Sequence, residues 1–130
     1  MNASFNAGQG LAVAAGAALG ALLRWASAIA LNHLVPALPL GTLLVNCLGG
    51  LLMGVALVGF EPVASATWRL FVVTGFLGGF TTFSAFSAES LLLLQQGQGG
   101  GALLHTTAHV LGALACTALG FMLARLWWPA

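Results

Sequence analysis

The residues best suited to do chemistry lie between Gly75 and Ser90, Gly-Phe-Leu-Gly-Gly-Phe-Thr-Thr-Phe-Ser-Ala-Phe-Ser-Ala-Glu-Ser. Thr81, Ser84 and Ser87 recur at i, i+3 and i+6, so they form one stripe if a helix runs through them. Phe80, Phe83 and Phe86 form a neighbouring stripe at the same spacing. A phenylalanine row is commonly simple packing. Aromatic edges nevertheless carry partial positive charge. Ring edges beside hydroxyls can replace the water around a small anion without a full cation that would trap it. Conduction demands that balance between favourable entry and easy exit.

Other polar side chains stand out against apolar surroundings. Arg24 is deep in a hydrophobic stretch, where a charge costs roughly 2.5 kcal/mol or more at a helix centre. It either snorkels to the nearer interface beside Trp25 or lines an aqueous vestibule that attracts anions. The second reading is favoured because no acid in the same stretch neutralises it. Asn46 either bonds a neighbouring helix or presents its amide donors to a passing anion. Glu89 faces a vestibule, caps the polar end of its segment or acts in proton coupling. His105 and His109 have the i, i+4 spacing of metal ligands, but no Glu or Cys joins them, so a metal site is not expected. Cys47 and Cys116 read as small buried side chains, not as a disulfide or metal pair.

The elements that must position these groups follow from composition. Hydrophobic residues are 60% of the 130-residue chain and charged residues 4%, with mean hydropathy +1.04. A soluble domain carries roughly a quarter charged residues. The chain is therefore read as an all-α integral membrane protein, one membrane domain over residues 1–130, with no catalytic constellation and no basic patch for nucleic acid. The expected spans are about 8–34, 40–60, 67–95 and 102–128, at ~20 apolar residues each. Pro36 and Pro39 close the first, Glu61-Pro62 the second, and the glycine-rich run from Gln96 the third. Trp25, Trp68, Trp127 and Trp128 are candidate interface anchors. The first seven residues carry no Lys or Arg, so no cleaved signal peptide with a charged start is expected.

Span three contains Gly75, Gly78 and Gly79, which loosen its backbone, followed by five hydroxyl residues up to Ser90. It is expected to break near its middle. Lipid cannot satisfy the backbone groups so released, so protein, water or an ion must. Small residues also repeat every fourth position: Gly8, Ala12, Gly16 and Gly20; Gly50 and Gly54; Gly112, Cys116 and Gly120. Such stripes let helices approach closely within one subunit, and one of them can also serve a subunit interface.

These blocks add up to a pattern. Over nearly its whole length the chain resembles the Fluc (CrcB) family of bacterial fluoride channels. The resemblance is carried in order by Gly-Ala-Ala-Leu-Gly-Ala-Leu-Leu-Arg ending at Arg24, Gly-Thr-Leu-Leu-Val-Asn from Gly41, and Gly-Phe-Leu-Gly-Gly-Phe-Thr-Thr-Phe-Ser-Ala-Phe-Ser from Gly75. It implies a multi-pass protein of the bacterial inner membrane that exports fluoride passively. It also implies an antiparallel, dual-topology homodimer with two pores. Phe83 and Phe86 would contact fluoride, Asn46 would be a pore-lining donor, and Ser84 and Ser87 would belong to the polar track. Arg24 and Glu89 would lie nearer the vestibules. Carbonyls of Gly78 and Thr81 from each subunit would hold a structural sodium ion at the dimer centre. Ala85 stands where the family commonly has a second threonine, which removes one hydroxyl from the track.

The competing class is a small multidrug resistance transporter, also a four-span dual-topology dimer. Its proton exchange needs a membrane-embedded carboxylate, typically in the first span, where this chain has Arg24 and no acid. The side holding both termini carries Arg69 and Arg125, against one or no arginine opposite, which is a weak orientation signal. Single cysteines placed in the loops should therefore be labelled from both faces of the membrane. Labelling from one face alone would rule out dual topology.

Overall fold

The computed structural model describes residues 6–60 and 65–128. The Glu61-Pro62 stop signal and the charge-free start up to Phe5 lie outside the described residues. Regular structure is helical throughout these, and four segments are long and apolar enough to cross a membrane. Helix α1 (Ala7–Leu31) begins at Asn6, whose side-chain oxygen accepts from the Gly8 amide at 2.9 Å, and it stops three residues before the expected Leu34. Helix α2 (Leu40–Gly59) starts directly after Pro39, where the missing amide of proline is no loss.

Span three is composite. Helix α3 (Ala66–Arg69) runs into a π-helical stretch (Leu70–Leu77) and a last α-turn (Gly78–Phe80). The chain then straightens and resumes as α4 (Phe83–Gln95). Span four, α5 (Gly99–Trp127), begins three residues earlier than expected. Gly97 turns the chain with φ +73°, so the rest of the glycine run is free to join the helix. All four tryptophans are exposed.

Small residues set which helices touch. Gly16 and Gly20 of α1 lie against the backbones of Phe71 and Phe76 in the π-helical stretch. Gly50, Gly54 and Gly120 bring α2 onto α5, where a Cβ at Gly50 would stand 2.7 Å from the Ala113 carbonyl oxygen. These stripes pack within the subunit. The glycines of span three also need reinterpretation. A Cβ at Gly75 would stand 2.6 Å from the Val13 carbonyl oxygen, and one at Gly79 would stand 2.9 Å from the Ala17 Cα. Both are points of backbone contact with α1, so close packing explains them better than backbone loosening does. Gly78 is exposed and nearly free of neighbours.

The break falls at Thr81 and Thr82, whose ψ values of 160° and 115° are extended. Protein groups bind much of the freed backbone. Asn46 accepts from the Thr82 amide through Oδ1 at 2.8 Å and donates to the Thr82 carbonyl through Nδ2 at 3.0 Å. Arg24 donates from Nε to the Gly79 carbonyl at 3.0 Å. The Thr81 hydroxyl donates back to the Leu77 carbonyl at 2.8 Å, and the Thr82 hydroxyl caps α4 by accepting from the Ala85 amide at 3.1 Å.

Asn46→Leu keeps the volume but strips both partners from the Thr82 peptide. An orphaned buried group costs about 1–3 kcal/mol, so thermal unfolding in detergent should show a loss of at least that size. An unchanged midpoint would mean that the clamp contributes nothing to the fold.

Candidate functional site

A chain of polar contacts runs from the end of α1 to the break. Asn32, just past α1, accepts from the Thr42 amide at 3.1 Å and donates to the Thr42 hydroxyl at 3.2 Å. That buried hydroxyl donates in turn to Glu89 Oε1 at 2.7 Å. The other carboxylate oxygen lies 3.1 Å from His105 Nε2, and the far ring nitrogen of His105 lies 3.0 Å from the Ser90 hydroxyl. His105 is fully buried, whereas the Glu89 side chain is 19% exposed.

Helix geometry extends the row by one turn of α5. The rings of His105 and His109 are 4.4 Å apart, and Phe86 packs against both, at 5.5 Å and 5.1 Å between centroids. His109 Nδ1 is 3.1 Å from Asn46 Nδ2. Because Asn46 Oδ1 is committed to the Thr82 amide, the nitrogen of the amide is the atom that faces His109. Nδ1 therefore accepts, and the neutral ring carries its hydrogen on Nε2. Nε2 is buried and has no hydrogen-bond partner. This is the one such side-chain atom among the described residues, and a donor of this kind is expensive to leave unmade.

Two cavities flank the row. One, of about 260 Å³, sits at the break and is lined by uncharged residues, among them Asn46, Thr81, Thr82, Phe83, Phe86 and His109. The other, of about 190 Å³, is lined by Pro36, Pro39, Glu89 and Leu93. The site is thus polar and aromatic at one end and carboxylate-bearing at the other.

The structure brings some of the expected residues together and separates others. Phe83 and Phe86 are adjacent, with centroids 5.3 Å apart and planes tilted by 53°. Phe86 is buried, while Phe83 is 78% exposed. Phe80 leaves the expected row and stacks on Phe76 at 5.5 Å, because the break resets the helical register between Phe80 and Phe83. The hydroxyl stripe is interrupted for the same reason: Thr81 points back to Leu77. Ser84 lies 3.2 Å from the Thr82 hydroxyl, and Ser87 donates to the Phe83 carbonyl at 2.8 Å, both on an exposed face.

Arg24 is tied to the broken helix end, a job that neither snorkelling nor a vestibule anticipates. Asn46 bonds a neighbouring helix and also lines the cavity. Cys47 and Cys116 are free thiols, half-buried. From sequence, His105 and His109 have the spacing of a metal pair but receive no place in the site. Two imidazoles on one face of an apolar span demand polar partners, and that demand was the available signal.

The chain matches the family model described as CrcB-like protein, Camphor Resistance (CrcB), over residues 11–121. It is 49% identical to a protein of Burkholderia thailandensis named fluoride-specific ion channel FluC, over 119 residues that cover 90% of this chain and 93% of that one. Proteins of the same name from Burkholderia pseudomallei and Burkholderia mallei are 49% and 48% identical over the same shares. With a family match across most of its length and relatives at this identity, the chain belongs to the CrcB-like protein family.

Proposed function

We propose that the chain is the subunit of a fluoride channel of the bacterial inner membrane, giving the anion a passive way out of the cytoplasm. The names of its 49%-identical relatives support the substrate. The observation in the fold that carries the reading is the cavity at the break. There Phe83, Phe86 and His109 line one space together with Asn46, and every lining residue is uncharged. Fluoride is a small anion that accepts hydrogen bonds strongly. Amide and hydroxyl donors with ring edges around them offer replacement hydration, and the absence of a full positive charge in the lining leaves the ion free to depart.

Each remaining residue has a place in this path. Arg24 gives its Nε to Gly79 and keeps its other guanidinium hydrogens for a vestibule that draws anions in. Asn46 lines the pore and fixes the His109 tautomer. Ser84 and Ser87 continue the track. Glu89 marks the opposite vestibule, its charge turned onto Thr42 and His105 and so away from the ion.

Phe83, Ser84, Ser87 and Gly78 are all exposed on the surface of span three. Lipid is a poor solvent for hydroxyls and for a free carbonyl. A second, antiparallel copy covering this surface would make the polar track common to both subunits. The same surface suits a structural sodium ion. In a continuous helix the Gly78 and Thr81 carbonyls would accept from the amides of Thr82 and Ala85. Those amides donate instead to Asn46 and to the Thr82 hydroxyl. Gly78 and Thr81 of two copies would hold the ion, which supplies the positive charge that two broken helix ends lack.

Liposomes containing only the purified protein should release fluoride rapidly and chloride at background. Phe83→Ile and Phe86→Ile should each cut the fluoride rate while the protein stays dimeric on size exclusion. Equal release of both halides, or unchanged rates in both variants, would overturn the pore assignment. Exchanging sodium for a bulky organic cation should lower activity and dimer stability together, and indifference to the cation would remove the ion from the dimer centre.

A further inference from the structure

Nothing beside His105 and His109 in the sequence supplies a third metal ligand, yet the fold brings one from another span. One ligand atom each from Glu89, His105 and His109 lies within 4.8 Å of the others. We propose that these three side chains form a transition-metal site, suited above all to Zn²⁺, and that filling it blocks the pore. The blocking rests on the fluoride reading above; the site does not.

The donor set is the first argument. Two imidazoles and a carboxylate are borderline ligands that suit zinc, cobalt, nickel or copper, while a magnesium ion prefers oxygen alone. Zinc–ligand bonds of ~2.0–2.2 Å place tetrahedral ligand atoms about 3.4 Å apart. His105 Nε2 and Glu89 Oε2 already stand at 3.1 Å, on two different helices. His109, within 4.8 Å of the other ligand atoms, then has at most about 1.4 Å to close, a distance of the order that a side-chain torsion covers.

The surroundings are the second argument. The Thr42 hydroxyl holds the outer oxygen of Glu89 at 2.7 Å, and Asn32 holds Thr42. Ser90 engages His105 Nδ1 at 3.0 Å and so leaves Nε2 directed at Glu89. Outer partners of this kind set ligand orientation in metal centres. The buried Nε2 of His109 has no hydrogen-bond partner, and a metal would take up that atom. The cavity of about 190 Å³ beside Glu89 is the way in.

The geometry also says why a bound metal stops conduction. With Asn46 donating to Nδ1, His109 carries its hydrogen on Nε2. A metal on Nε2 drives that hydrogen to Nδ1, where it meets the Asn46 amide donor head-on. Capture therefore breaks the Asn46–His109 contact at the edge of the pore cavity. A doubly charged cation there would also hold a passing anion too tightly to release it.

The test uses the full chain. Purified protein in detergent, titrated with Co²⁺ alone, should bind about one ion per chain and show the visible bands of tetrahedral cobalt. Glu89→Gln and His109→Gln should abolish the bands, and Ser90→Ala should weaken binding roughly 10–100-fold, the usual effect of losing an outer partner. In liposomes Zn²⁺ should suppress fluoride efflux of the wild type, whereas Mg²⁺ should not. Each variant is compared with its own zinc-free rate, and Glu89→Gln should be insensitive. Cobalt bands that persist in both ligand variants would identify adventitious binding and overturn the site. A tetrahedral spectrum with zinc-insensitive efflux would overturn the block. Absence of fluoride efflux in metal-free protein would defeat the channel reading, while the cobalt spectrum would still decide the site.

Discussion

The structure depends on one constraint: a helix interrupted inside a bilayer must have its freed backbone groups bonded by the protein or by something the protein holds. The break at Thr81 and Thr82 meets it with side chains from two other spans and with one of its own. Asn46 of α2 takes both polar groups of the Thr82 peptide, Arg24 of α1 takes the Gly79 carbonyl, and Thr82 caps its own helix. The carbonyls of Gly78 and Thr81 lose their helical donors in this arrangement, and Gly78 is exposed. A structural feature that looks like a defect thus accounts for the placement of Arg24, Asn46 and the proposed cation.

Close packing makes that bonding possible. Hydrophobic burial gives helices little reason to associate in lipid, so contact area and polar links must hold them together. Glycines 16, 20, 75 and 79 put α1 on the first half of span three with backbone against backbone. Glycines 50, 54 and 120 do the same for α2 and α5. Arg24 adds a polar bond to Gly79 within the first pair. The two pairs are then joined by Asn32 to Thr42, Asn46 to Thr82 and Thr42 to Glu89. Substituting a longer branched side chain for either glycine set would move the polar partners beyond hydrogen-bond reach.

The same arrangement explains how the proposed site would handle an anion with so little charge. Glu89 and Arg24 are each bound to protein groups, the first by Thr42 and His105, the second by a carbonyl. Between them lie rings, hydroxyls and one buried imidazole N–H. Asn46 links the structural and ionic roles, because the amide that closes the break also sets which nitrogen of His109 bears hydrogen. In a low-dielectric setting such neutral donors are worth more than in water and still bind more weakly than an ammonium or guanidinium.

Much of the architecture was legible before folding. Four apolar stretches and a 4% charge content mark the spans, because partition into lipid is a local property of ~20 residues. The hydroxyl residues from Thr81 onward marked the interruption, since threonine side chains can bond nearby backbone in place of a continuous helix, whereas Gly75 and Gly79 mark contacts with α1. Other features were decided only in three dimensions. The register change that removes Phe80 from the phenylalanine row depends on where the extended residues fall. The clamp of Asn46 on Thr82 spans 36 residues, and the Glu89–His105 contact spans 16 across two helices. Sequence determines what each segment can be, because hydropathy and propensity act over a few turns. Which side chains meet is settled by glycine-to-backbone contacts between distant helices, and those exist only once the helices have packed.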